Sequence, residues 1–286
     1  TGKYAYSKDE LFKGGLKVYT TLDVSAQEAA EAAARKKEEA AGSNFEVALV
    51  AIDPDNGYIK ALVGGKDYST SQVNMATGTG GSGRQAGSSF KTFTLVSALE
   101  QGIDPNTLID ASATAEFPGW EVSNINHTNY GTTTIKKAFA VSSNTAFARL
   151  ILSIGPDKVV DAAKRMGIDS PLTATGSLTL GSESVTPLEM AEAYATIANG
   201  GTHYDPECIE RIVDRNGSIV VDNSSSSGTR AISAEVAHAA TEVMKGVVTD
   251  GTGKAAALEN SEQPVAGKTG TSENYMDSWF CGITPQ

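Results

Sequence analysis

The sequence predicts an α+β fold with a largely antiparallel sheet. Strand-like apolar runs lie near both ends of the chain, two of them carry Asn-Gly hairpin signals, and the stretch between is dominated by helix-period apolar patterns. With 286 residues, 40% of them hydrophobic, the chain can bury one large core, alone or with a small appendage.

In chain order, residues 15–22 read as a short strand of alternating exposure. A helix is expected over 25–41, with Ser25 and Glu28 at capping-box spacing and an Ala-, Glu- and Lys-rich, solvated face. Gly42-Ser43-Asn44 is the first plausible boundary. Residues 46–52 and 58–63 form a hairpin around Asp53-Pro54-Asp55-Asn56-Gly57, followed by a Gly/Ser/Thr-rich loop over 64–87. Phe90, Phe93, Val96 and Leu99 then recur at helical spacing. Residues 102–131 read as polar and irregular, with Pro105, Pro118 and Gly119 as breakers. A helix over 133–140 is interrupted at Val141-Ser142-Ser143-Asn144 and resumes through Leu152. Thr186-Pro187-Leu188-Glu189 combines a capping threonine, a first-turn proline and a reciprocal glutamate, so a helix should run to Ala198 and stop at Asn199-Gly200-Gly201. A second hairpin, 207–222, turns at Asn216-Gly217, and a helix covers 234–248. Two strands, 265–271 and 279–283, close the chain around a polar turn.

The net charge of −11 argues against nucleic-acid binding, which needs a basic patch. Apolar runs fall far short of the roughly eighteen residues of a membrane span, no signal peptide is present, and the chain begins as an excised fragment would. Cys208 and Cys281 are too few for a disulfide scaffold and match no metal spacing, so two unpaired, mostly buried thiols are expected.

The chemistry concentrates in Gly83-Arg84-Gln85-Ala86-Gly87-Ser88-Ser89-Phe90-Lys91-Thr92-Phe93. Ser88 and Lys91 stand three apart at the start of a buried helix, so one face carries both, and the amine can reach the hydroxyl as an activated nucleophile requires. Ser-x-x-Lys alone is weak, since a capping serine and a solvated lysine give the same pattern. A second element is Ser142-Ser143-Asn144, polar residues between Phe139 and Phe147, although Ser and Asn are also ordinary cap residues. The third is Lys268-Thr269-Gly270-Thr271, where glycine in a strand permits close approach and lysine and threonine suit an anionic group. A lysine guarding an edge strand would look alike.

In this order the three elements resemble the Ser-x-x-Lys, Ser-x-Asn and Lys-Thr-Gly set of penicillin-binding proteins and related serine β-lactamases. The resemblance extends to Gly14-Gly15-Leu16-Lys17-Val18-Tyr19-Thr20-Thr21-Leu22-Asp23, Val185-Thr186-Pro187-Leu188-Glu189, Gly251-Thr252-Gly253 and Asp277-Ser278-Trp279-Phe280, as in class A (bifunctional) penicillin-binding proteins. It implies that fold, with a mainly antiparallel sheet and a helical subdomain. Residues 1–44 would then be a linker from an upstream glycosyltransferase domain, and 45–286 a transpeptidase domain lacking its last strand and helix. Ala86 and Thr92 stand where proline is common in the family, and the loop before Ser88 is longer and richer in glycine than usual.

The resemblance also implies roles. Ser88 would attack the carbonyl of a D-Ala-D-Ala stem peptide, Lys91 would be the general base, and Ser142 would relay a proton to the leaving amine. Asn144 would hold the peptide backbone, and Lys268, Thr269, Gly270 and Thr271 would form the strand that binds the terminal carboxylate. Burial or a nearby positive charge, Lys268 being the expected source, should depress the Lys91 pKa. A second stem peptide's amine would accept the acyl group, β-lactams would acylate the same serine, and no metal or cofactor is implied. The whole protein would be membrane-anchored in cell-wall synthesis complexes on the extracytoplasmic face of a bacterial cell membrane.

Rival readings fit less well. A class A β-lactamase typically carries a Glu-x-x-Leu-Asn run, which is absent, and Glu183 and Glu189 fit a loop and a helix cap. A carboxypeptidase would differ only in using water as acceptor. A Ser-His-Asp hydrolase lacks a Gly-x-Ser-x-Gly elbow, and of His127, His203 and His238 only the first lies in a polar loop. Gly78-Thr79-Gly80-Gly81-Ser82-Gly83 fits a dinucleotide fingerprint literally but follows no strand, and Gly267-Lys268-Thr269 lacks the earlier glycine of a phosphate loop. A non-catalytic β-lactam or muropeptide sensor could keep Ser88 and Lys91, although the residue 14–23 run favours a synthase.

Overall fold

The structure, a computed structural model, describes residues 6–42, 45–69, 71–259 and 262–285. Eight α-helices occur among them: α1 (Lys8–Lys13), α2 (Val24–Ala41), α3 (Lys91–Glu100), α4 (Ile135–Ala140), α5 (Asn144–Ile154), α6 (Pro156–Arg165), α7 (Pro187–Ala198) and α8 (Ala234–Thr249). The strands pair antiparallel, but as one three-stranded and six two-stranded ladders rather than one broad sheet.

The expected hairpins form, Leu49–Ile52 with Ile59–Val63 and Ile209–Val213 with Ile219–Asp222. Strand Lys17–Thr20 adds to the second, and all four of its residues are exposed rather than alternating. Near the end of the chain Ala266–Thr271 pairs with Ser278–Ile283.

Helix α3 is the centre of the helical part. Lys91 through Ala98 are all buried, and α3 packs on α5, α6 and α8. The Phe90 and Phe93 rings meet at 4.5 Å and those of Phe139 and Phe147 at 5.7 Å. Each fully buried side chain of this size contributes about 1.5–3 kcal/mol. Helix α8 covers one side of strand Ala266–Thr271, so the last hairpin is fixed against the same core as α3.

Several expectations are corrected. Residues 102–131 contain strands Leu108–Asp110, Thr114–Phe117 and Trp120–Ser123. Pro118-Gly119 is the hairpin turn between the last two, with Gly119 at φ +72, and Ala115 and Val122 face each other inward. The cap of α2 is Asp23, which accepts from the Ala26 N–H, while Ser25 only donates to the Asp23 carboxylate. A carboxylate at that position satisfies an open N–H and favours the helix dipole, so it wins over a hydroxyl two residues later. Strand Thr132–Thr134 delays the start of α4 to Ile135. Helices α1 and α6 have no counterpart in the sequence reading, although Ser7 and Glu10 form a capping box and Pro156 opens α6 after Gly155 at φ +94. Cys281 is buried as expected, whereas Cys208 is exposed. The capping box of α7 is as expected, and Glu189 also accepts from the Ser170 N–H and hydroxyl.

One buried pair sets a pH dependence. Glu192 of α7 is buried against Nε2 of His203, on strand Thr202–His203. Burial raises the Glu192 carboxyl above its usual range despite His203. The bond to Glu192 raises His203, helped by Asp205 and Asp169 and opposed by burial. Both folded values lie above the unfolded ones, so the stabilisation is complete at low pH and is lost as pH rises through the folded values. The Tm advantage of the wild type over His203→Gln is expected to shrink as pH rises above the ordinary histidine range, about 6.5. Calorimetry with a chelator present tests this, because Glu192, His203 and Asp205 bring ligand-type atoms within 4.8 Å of one another. A gap that widens with pH would contradict it.

Candidate active site

Ser88 lies half-buried in the 3-10 turn Gly87–Phe90, which feeds directly into α3, and Lys91 is the first residue of that helix. The tight turn folds the lysine back, so its Nζ lies 3.0 Å from Ser88 Oγ. The same nitrogen donates to the Ser142 carbonyl at 2.8 Å and to Asn144 Oδ1 at 2.8 Å, and lies 3.2 Å from Ser142 Oγ.

Ser142 sits in the break between α4 and α5 at φ +59, a left-handed conformation that a non-glycine residue adopts at a cost of about 1–3 kcal/mol. That backbone turns both its carbonyl and its hydroxyl onto Lys91. Ser143 caps α5 by accepting from the Ala146 N–H. Asn144 donates its Nδ2 to the Ser123 carbonyl at 2.9 Å, so its oxygen faces the lysine.

Lys268 arrives from the opposite wall. Its Nζ donates to Ser142 Oγ at 2.9 Å and to the Thr269 carbonyl at 3.0 Å. Ser142 Oγ is therefore shared by two lysines. The strand reaches this close because a glycine on each side leaves room for backbone on the other. A Cβ on Gly270 would lie 2.2 Å from the Ala86 carbonyl oxygen, and one on Gly87 (φ +56) 2.3 Å from the Thr271 carbonyl oxygen. Thr271 thus passes beside the turn that carries Ser88, and its own residue is exposed at the strand end.

Both lysines are 0% exposed. Burial, and secondarily the charge of Lys268, lowers the Lys91 pKa well below the lysine range. Burial lowers Lys268 to about 7, with Cys281 opposing. Both causes expected from the sequence, burial and the charge of Lys268, act on Lys91, and burial is the larger. The Cys281 thiol beneath them is pushed up to about 12 by burial, which keeps it protonated.

The expected site residues therefore converge: Ser88, Lys91, Ser142, Asn144 and Lys268 in one hydrogen-bonded cluster, with Thr269, Gly270 and Thr271 on the strand alongside. Residues 47–286 match the penicillin binding protein transpeptidase domain family. The chain belongs to that family. It is 35% identical over 247 residues to penicillin-binding protein 1A of Aquifex aeolicus, covering 85% of this chain and 33% of that relative. It thus spans about a third to two fifths of the length of the curated relatives it matches. The structure of the PonA1 protein from Mycobacterium tuberculosis in complex with penicillin V superposes with a TM-score of 0.86 at 31% identity, covering 99% of this chain and 78% of that one. The imipenem acyl-enzyme complex of penicillin-binding protein A from M. tuberculosis gives 0.82 at 26% identity, covering 96% and 74%.

Sequence reasoning missed three supports of this transpeptidase site. Tyr194 of α7 is buried, donates to the Ser89 carbonyl at 3.1 Å and bonds the Thr92 hydroxyl at 2.6 Å, pinning the turn that carries Ser88. Thr252, in the Gly251-Thr252-Gly253 run, bonds the Thr269 hydroxyl at 2.6 Å. Asn124 lies beneath the start of α5 and bonds Ser143, Asn144 and Thr145. Tyr194 and Asn124 had no local signal, and Thr252 was marked only as part of the Gly251-Thr252-Gly253 resemblance, because each acts on residues distant in sequence.

Proposed function

We propose that this domain is a serine D,D-transpeptidase that cross-links peptidoglycan stem peptides through an acyl-enzyme on Ser88, and that β-lactams acylate the same oxygen. The observation that carries this is the proton inventory around Lys91. Its two shortest contacts, the Ser142 carbonyl and Asn144 Oδ1, are acceptors only. They take both hydrogens of a neutral amine and leave its lone pair for the Ser88 hydroxyl proton. Depression of the Lys91 pKa by burial and Lys268 favours that neutral amine.

In this mechanism Ser88 Oγ attacks the carbonyl carbon of the penultimate D-alanine while its proton passes to Lys91. Backbone N–H groups of Ser88 and Thr271 receive the developing oxyanion. The carbon–nitrogen bond then breaks, and the proton travels from Lys91 through Ser142 Oγ to the departing D-alanine. The acceptor amine of a second stem peptide attacks the ester, losing a proton back along the route as Ser88 Oγ leaves. Lys268, Thr269 and Thr271 hold the terminal carboxylate, Asn144 holds the peptide backbone, and Gly270 lets the strand approach. A bound carboxylate favours the protonated form of Lys268, whose depressed pKa then rises.

No described helix is long and apolar enough to cross a membrane. We place the whole protein, by its family, at the extracytoplasmic face of a bacterial cell membrane, anchored there and working in cell-wall synthesis complexes, with residues 1–44 as a linker. Intact mass after penicillin exposure, with peptide mapping, tests the reading. One adduct on Ser88, absent from Ser88→Ala, is expected. Nitrocefin should give a single stoichiometric burst. Sustained turnover would point to a β-lactamase, and a folded protein that takes no label would overturn the assignment.

A further inference from the structure

Asn124 is 3% exposed and lies at the bottom of the Ser142-Ser143-Asn144 break. Its Nδ2 donates to the carbonyls of Ala111 at 3.1 Å, Ser112 at 3.1 Å and Thr128 at 2.9 Å. Its Oδ1 accepts from the Asn144 N–H at 2.8 Å, the Ser143 hydroxyl at 3.0 Å, the Thr145 N–H at 3.2 Å and the Thr145 hydroxyl at 3.4 Å. One end faces carbonyl oxygens and the other faces backbone N–H groups, so chemistry fixes the orientation of the amide. Both ends are saturated, as a buried amide requires.

We propose that Asn124 is a positioning residue for the Ser88–Lys91 pair. It holds the backbone of Asn144 through the N–H, while its chain neighbour Ser123 holds the Asn144 side chain through its carbonyl. With Nδ2 of Asn144 committed to Ser123, only Oδ1 can face Lys91, where it accepts at 2.8 Å. Residues 123 and 124 therefore decide that the lysine meets an oxygen there and not an amide N–H. Were the amide reversed, a donor would compete for the lone pair that Ser88 needs. Asn124 touches neither the nucleophile nor the base, and acts through Asn144.

This rests on the reading of Lys91 as the base, so the test carries both. Acylation of Ser88 by a fluorescent penicillin is followed from about pH 6 to about pH 10 for the wild type, Asn124→Ala, Asn124→Asp and Lys91→Ala, beside their Tm values. Asn124→Ala is expected to slow acylation about tenfold or more at temperatures where it stays folded. Asn124→Asp keeps the acceptor for the Asn144 and Thr145 N–H groups and should recover part of that rate. Its second oxygen faces the carbonyls of Ala111, Ser112 and Thr128, which favour a protonated carboxyl that donates as the amide did, so the acid limb of the rate profile should stay at its wild-type position. Should the alanine variant fail to fold, Asn124→Ser, whose shorter side chain withdraws the acceptor from the Asn144 N–H, takes its place with the same expected loss. An Asn124→Ala rate within about twofold of wild type, or an Asn124→Asp rate no faster than that of Asn124→Ala, in folded protein and whatever the Tm, would overturn the proposal. If Lys91→Ala itself acylates normally, it is the base reading that fails instead.

Discussion

Lys91→Ala is expected to slow acylation of Ser88 by penicillin about 10²–10⁴-fold, the range a positioned general base supplies. The lysine is the only amine within reach of Ser88 Oγ in the cluster, at 3.0 Å, because Lys268 is directed to Ser142 Oγ and the Thr269 carbonyl. Lys91→Arg should be nearly as slow despite keeping a cation, since a guanidinium does not give up its proton in this range. Single-turnover rates with a fluorescent penicillin measure both. The wild-type rate should rise with pH as Lys91 deprotonates, and level off well below the usual lysine pKa, because burial and Lys268 lower it. An arginine variant that acylates at the native rate would mean that the charge, and not the lone pair, matters at this position.

Gly270→Ala should remove activity by a different route. The added carbon would stand 2.2 Å from the Ala86 carbonyl oxygen, 3.0 Å from Trp279 Cβ and 3.1 Å from the Ser89 nitrogen. That carbonyl already accepts from the Ser89 hydroxyl at 2.7 Å, and the backbone it belongs to leads into the Ser88 turn. Neither side is a flexible side-chain end, so strand Ala266–Thr271 must move away from Ser88. A displacement near 1 Å costs about 10²-fold in rate, and a fall in Tm should accompany it. Gly217→Ala is the control. Its glycine also needs a left-handed backbone, at φ +86, but nothing lies within 4 Å of an added carbon. It should lose only about 1–2 kcal/mol of stability to conformational strain and leave acylation unchanged. Equal loss of acylation in both variants would rule out close approach as the reason for glycine at 270.

What could be read from the sequence follows from the range of the forces involved. Ser88 and Lys91 are one helical turn apart, and Ser142 and Asn144 interrupt an apolar periodicity, so each pair has a local signal, weak alone and specific only when combined with the Lys268 strand. That these residues meet Lys268 is a tertiary fact, and only their order along the chain hinted at it. Asn124 was invisible because its seven contacts go to groups that every residue carries, or to hydroxyls many positions away. Pro118-Gly119 was misread because the pair ends an extended segment and also turns a hairpin, and alternation at Ala115 and Val122 was the signal that separates the two. The cap expected at Ser25 failed for a related reason. Capping-box spacing was satisfied at Ser25, but the better acceptor stood two residues earlier.

Two fully interior amines make the native chain a weaker proton binder than the same chain unfolded. Lys268 sits near 7 and Lys91 well below its solution value, whereas both would be ammonium groups in water. Unfolding therefore takes up protons, and alkaline conditions favour the native form progressively from about pH 7 towards the ordinary lysine range, about 10.4. The slope is opposite in sign to that of Glu192 and His203. The domain thus tolerates a standing thermodynamic penalty at its candidate active site, and a descendant with no use for that site could gain robustness by exchanging either lysine for an apolar side chain of similar length.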